Sequence, residues 1–153
     1  IGASDYNIYI MDPESLVIKQ QITQAHSNSV FTAKYSPNGQ FIVSAGRDAM
    51  LKVWERNTLE LISEKPAHWF TINSLTFDPN GKWMATASRD KTIKVWDLEN
   101  WELLKVLEPV RDKAHVNSVN DLLWSEYDDV LISCSDDRSL ILWKVNAIKN
   151  SNT

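Results

Sequence analysis

Short runs in which apolar and polar residues alternate recur along the chain, each closed by a cluster of turn-forming residues. Val30 to Tyr35 and Ile72 to Phe77 are two of them, and an alternation of period two marks a strand with one buried face. Ser36-Pro37-Asn38-Gly39 follows the first run and Asp78-Pro79-Asn80-Gly81 the second. Proline pre-sets φ at the second turn position and glycine accepts a positive φ, so both clusters predict tight hairpins. The third copy of this turn, Ser125 to Asp129, has neither residue and is expected to be looser. Second strands are predicted at Phe41 to Ser44, Trp83 to Thr86 and Val130 to Ser133, and third strands end on Trp54, Trp96 and Trp143. Fourth strands are placed near Leu59 to Ser63 and Trp101 to Leu107. Four strands per period at hairpin spacing make a meander and not a helical solenoid.

The period is carried by polar residues as well. Asp48, Asp90 and Asp137 each stand six residues before a tryptophan and 22 residues after a histidine, namely His26, His68 and His115. Those are the only three histidines of the chain, and all fall in register. The repeat length is 42 residues and then 47, because five residues are added between Trp96 and His115.

With Val95-Trp96-Asp97 and its relatives Val53-Trp54-Glu55 and Leu142-Trp143-Lys144 in this register, the chain resembles the WD-repeat (WD40) β-propellers over nearly its whole length. It departs from the family pattern in keeping one literal Trp-Asp pair, and in placing Ala25, Ala67 and Ala114 where glycine usually precedes the histidine. The resemblance implies an all-β fold, a β-propeller of four-stranded antiparallel blades. About three and a quarter blades are expected here, as part of a seven-bladed ring.

Residues 1–24 are read as a partial blade (the end of strand b, then strands c and d), with Asp5 at the place of Asp48 and Met11 at that of Trp54. Residues 25–66 and 67–113 are read as blades, 114–145 as a blade lacking strand d, and 146–153 as a frayed polar tail, all within one partial propeller domain. The chain opens on Ile1 in mid-pattern, so its beginning is expected to be missing. An open stack would leave apolar faces in water. The missing blades would come from the rest of a longer parent chain or, as the rival reading, from a second copy.

The resemblance also implies one hydrogen-bonded set per blade: His26, Ser44, Asp48 and Trp54; His68, Thr86, Asp90 and Trp96; His115, Ser133, Asp137 and Trp143. Serine, histidine and aspartate together suggest a hydrolase. Against this, the set recurs in every blade whereas catalysis needs one site, and threonine replaces serine in the middle copy. A buried indole N–H also needs an acceptor, which the hydroxyl supplies. The sets are therefore read as structural, and no enzyme activity, metal or cofactor is expected.

Composition narrows the partner. Sixteen basic against 20 acidic residues leave a net charge of −4, which argues against nucleic acid, since phosphate binding needs a cationic footprint. No apolar run is long enough to span a membrane. Cys134 is the only cysteine, which excludes an internal disulfide and favours a reducing, cytoplasmic setting.

In a meander successive turns fall on opposite ends of the blade, so the His loops and the Asp turns share one face. The resemblance implies that positions three and five after each His and one before each Asp line this top face: Ser29, Phe31 and Arg47; Thr71, Asn73 and Arg89; Ser118, Asn120 and Asp136. Trp69 and Phe70 belong to one of these loops and are read as partly exposed or, equally, as packing on a missing blade, and the added residues Pro109 to Lys113 lie on the same face. Arginine with aromatics is a common hot-spot composition, and guanidinium groups suit carboxylates, which points to a protein or peptide partner with an acidic segment. The alternative is that Arg47 and Arg89 are solvated turn residues. Tyr35, Phe77 and Trp124, and likewise Phe41 and Trp83, are read as core. The functional expectation is a protein-interaction scaffold. An enzyme working in the channel of the complete ring and a ligand-sensing module of a larger signalling protein are the alternatives.

Overall fold

The structure is a computed structural model and describes residues 1–127 and 129–144. The expected tail, 146–153, lies outside the described residues. Thirteen strands and one short helix are present among those described, and they divide into two compact units, Ile1–Ile72 and Asn73 onward.

In the first unit, β1 (Ile8–Met11) pairs with β2 (Ile18–Ile22), and β3 (Val30–Tyr35), β4 (Phe41–Gly46), β5 (Met50–Glu55) and β6 (Leu61–Pro66) form a four-stranded antiparallel sheet in chain order. β4 is buried from Ile42 to Gly46, on both faces, whereas β2 and β6 are largely exposed. Ile8, Ile22, Ala25, Val30, Ile42 and Trp54 form its core. Gly46 has no room for a side chain: a Cβ there would lie 2.1 Å from the Ser29 carbonyl oxygen.

The second unit carries, from the second residue of β7 on, the sheet β7 (Ile72–Phe77), β8 (Trp83–Ser88), β9 (Ile93–Asp97) and β10 (Leu103–Leu107), then the helical turn α1 (Pro109–Asp112). A three-stranded sheet follows, β11 (Val119–Trp124), β12 (Val130–Ser135) and β13 (Leu140–Lys144). Val95, Leu107, Val119, Leu122, Trp124 and Leu131 are central to its core, and the rings of Trp83 and Trp124 stack at 6.4 Å between centroids.

Two local expectations need correction. The fourth strands begin two residues late, at Leu61 and Leu103, because Leu59 and Trp101 take up left-handed backbone (φ 61° and 60°) to close the preceding turn. Burial of the Trp101 indole, and packing of Leu59 on the core, offset that conformational cost. At the base of the third turn Ser125 N–H donates to Val130 O at 2.8 Å, as Ser36 does to Phe41 O and Asp78 to Trp83 O, both at 2.9 Å; Asp128 at its tip lies outside the described residues. Finally, Trp124 is buried and Phe77, Phe41 and Trp83 are half-buried, but Tyr35 is 48% exposed. Trp124 stacks on Trp83, whereas Tyr35 borders a cavity of about 300 Å³ lined also by Ile8, Ile10 and Ala33, with the Arg56 guanidinium 5.1 Å from its ring centre.

Candidate protein-interaction surface

Register explains how three residues distant in sequence share one hydroxyl. Ile42 pairs with Trp54 across β4 and β5, so Ser44, two residues on, stands on the same face diagonally from the indole. Trp54 Nε1 donates to Ser44 Oγ at 2.9 Å, and His26 Nε2 lies 2.8 Å from the same oxygen. An indole N–H can only donate, so the serine hydroxyl accepts from Trp54. A carboxylate can only accept, so His26 carries a proton on Nδ1, which donates to Asp48 Oδ2 at 2.9 Å. His115, Ser133, Asp137 and Trp143 repeat this geometry with distances of 2.8 to 2.9 Å. In the 67–113 blade Trp96 Nε1 donates to Thr86 Oγ1 at 2.9 Å, and His68 is buried. Ser44 and Thr86 are 0% exposed and Ser133 1%. Hydroxyls so enclosed and engaged have no access to a substrate carbonyl.

Each aspartate has a second task. Asp5, Asp48, Asp90 and Asp137 all accept the backbone N–H two residues on, at 2.9 to 3.2 Å, and the residue between (Tyr6, Ala49, Lys91, Arg138) has φ between 62° and 76°. The 1–24 blade has lost the tetrad but keeps this turn. The turn ejects the side chain just before the aspartate: Arg47, Arg89 and Asp136 are exposed for this reason.

At the opposite end of the blades, Asp12, Glu55 and Asp97 each accept two backbone N–H bonds from the turn that follows. The acidic residue after the tryptophan is thus a turn cap, and Glu55 serves as well as an aspartate.

In the first unit the loops at the tetrad end are stitched together. Arg47 N–H donates to Ser29 O at 2.9 Å, and Ala67 and His68 both donate to Ala49 O, at 3.0 and 3.3 Å. Phe31 is 51% exposed, Phe70 61% and Trp69 86%. Thr71 and Ser29 are half-buried.

The second unit joins its expected top-face residues by hydrogen bonds. Asn73 Nδ2 donates to Ser118 Oγ at 3.2 Å and to Val119 O at 2.8 Å. The Ser118 hydroxyl lies 3.1 Å from Asn120 Oδ1, and Asn120 Nδ2 donates to Asp136 Oδ1 at 2.6 Å. Arg89 stands apart from this chain of bonds.

A family model, the WD domain, G-beta repeat, matches residues 18–55, 59–97 and 101–144. The chain belongs to the WD40 family. It is 25% identical to Protein HIRA of Dictyostelium discoideum over 156 aligned positions (95% of this chain, 11% of the relative) and 24% identical to Protein HIR1 of Kluyveromyces lactis over 132 (86% and 12%). It is 43% identical to the Periodic tryptophan protein 2 homolog of Mus musculus over 58 positions, 38% of this chain and 6% of that protein. The chain thus spans about a tenth or less of the length of these relatives. WD40 membership supports a protein-interaction scaffold role in general.

Two features of the WD40 loops were not picked out from sequence. In the first and last full tetrads the residue after the histidine has its backbone pinned to the tetrad aspartate: Ser27 N–H to Asp48 Oδ2 at 3.1 Å and Val116 N–H to Asp137 Oδ2 at 3.0 Å. The side chain is thereby turned outward, and Val116 is 65% exposed. The next residue, Asn28 or Asn117, caps the loop by accepting the N–H of Ser29 or Ser118 at 2.9 Å. Trp69 and Phe70 occupy these two positions in the middle repeat. The signal was the replacement of a capping asparagine by a phenylalanine that cannot accept a hydrogen bond. The second feature is α1, where proline opens the turn and Lys113 closes it in left-handed backbone, leaving Val110 96% exposed.

No helix among the described residues is long and apolar enough to cross a membrane. Among those residues no group of three His, Cys, Asp or Glu side chains could hold a metal ion.

Proposed function

We propose that this chain is a non-enzymatic interaction scaffold that binds a protein or peptide segment of acidic character through the loops at the tetrad end of its first unit. The exposure of Trp69 supports this reading most directly. A tryptophan 86% exposed on a loop anchored through Ala67 and His68 leaves a large apolar surface in water, and Trp and Arg are the residues enriched where interfaces bind tightest. Phe70 and Arg47 project from the same stitched loops and Phe31 from the start of β3 beside them, and the Arg47 guanidinium makes no ion pair among the described residues. A carboxylate on the partner would complement it. The net charge of −4 disfavours nucleic acid as the partner. Cys134 carries no disulfide, which suits a cytoplasmic setting.

The test is a peptide array in which segments combining aromatic residues with Asp and Glu are paired with copies carrying Asn and Gln. Retention on the acidic set, reduced in Trp69→Ala and in Arg47→Glu, is expected. Equal retention on both sets, or retention indifferent to both substitutions, would reject the assignment.

A further inference from the structure

The repeat position that carries Arg47 and Arg89 carries Asp136 in the last blade, and the surroundings of this carboxylate are unlike those of a solvated turn residue. Asn120 Nδ2 holds its Oδ1 at 2.6 Å, and its backbone N–H donates to Ser118 O at 3.1 Å. The asparagine amide is itself oriented. Its nitrogen must face the carboxylate, so its oxygen faces the Ser118 hydroxyl, and Ser118 is buried and held from behind by Asn73. Two oxygens remain with acceptor capacity: Asp136 Oδ2, which has no hydrogen bond or ion pair among the described residues, and the second lone pair of Asn120 Oδ1. Arg138, two residues on, is exposed and does not pair with Asp136. Val116, turned outward by its bond to Asp137, adds apolar surface on the adjoining loop.

We infer that Asp136 and Asn120 form a receptor for the guanidinium group of an arginine on the partner. This rests on the reading of the chain as a partner-binding scaffold and adds that the second unit takes a basic residue, opposite in sign to the acidic one assigned to Arg47. Arginine fits better than lysine because its planar fork can bridge acceptors on two side chains, where an ammonium acts as a point charge. The methylene stem of the arginine can lie along Val116.

The probe is a blocked arginine, N-acetyl-arginine amide, titrated into the isotope-labelled chain while the Asn120 side-chain amide and the Asp136 backbone amide are followed by NMR. N-acetyl-lysine amide and the neutral isostere N-acetyl-citrulline amide serve as comparisons. A saturable shift with arginine, weaker with lysine and absent with citrulline, is expected. Asp136→Asn should weaken the arginine response by about tenfold or more, the effect of losing one charge-assisted bond. Asn120→Ala should weaken it as well, with the rest of each spectrum unchanged. An equal response to citrulline, or an unaltered response in Asp136→Asn, would overturn the inference. Trp69→Ala and Arg47→Glu leave this titration unchanged, so failure here and failure of the acidic-partner assignment are separately visible.

Discussion

Asp137 Oδ2 stands 2.9 Å from His115 Nδ1, and the same carboxylate accepts from Ser139 and from the backbone of Val116. Burial raises this carboxyl, but the bonds from Ser139, His115 and Val116 outweigh that and hold it well below the ordinary carboxylate range. Asp48 is lowered on the same balance, burial raising it and the bond and charge of His26 together with the Met50 and Ser27 backbone bonds outweighing that. One aspartate therefore joins a tetrad, shapes a turn and fixes a tautomer.

The sign of the pH dependence follows. A carboxyl lowered in the folded state contributes stability above its unfolded pKa of about 3.9 and loses it as pH falls through the folded value. Melting temperature should decline on acidification from about pH 5 downward. Asp137→Asn should melt lower at neutral pH and decline less steeply in acid. Thermal melts by circular dichroism at a series of pH values check this, and an acid slope unaltered in Asp137→Asn would count against it.

Removing a shared hydroxyl should cost more than changing it. Ser133→Ala strands the Trp143 indole N–H and takes the hydrogen-bond partner from His115 Nε2, a loss of about 1–3 kcal/mol. Ser133→Thr keeps the oxygen, as Thr86 does in the repeat before it, and should lose distinctly less. Urea unfolding followed by tryptophan fluorescence compares the two, and equal losses would show that packing and not hydrogen bonding sets the cost.

Trp124 offers the converse. Its Nε1 is buried and has no hydrogen-bond partner among the described residues, whereas its ring stacks on Trp83. Trp124→Phe removes an unsatisfied donor and keeps an aromatic ring, so its stability should fall within about 1 kcal/mol of the parent. Trp124→Ala should cost about 3–5 kcal/mol. A large loss in Trp124→Phe on thermal melting would mean that the indole volume decides.

Much of the blade was legible because its determinants are local. Val30–Tyr35 and Ile72–Phe77 form strands over the bounds that alternation predicts, and Gly39 and Gly81 take the positive φ that their turns require. The fourth strands were misplaced because hydrophobic residues at Leu59 and Trp101 read as strand, although burial holds them in left-handed turns. The helical turn at Pro109–Asp112 was legible only as added length.

The sequence by itself determined the repeat and the four-stranded blade, since spacing, turn chemistry and alternation act within a few residues and recur, whereas the tetrads entered only through the family resemblance. Only the tertiary structure decided that one hydroxyl serves both Trp54 and His26, that Asn120 orients Asp136, and that Tyr35 is exposed where Trp124 is buried. Those outcomes depend on which side chain a neighbouring strand or sheet brings within bonding or packing distance, and no single segment encodes that.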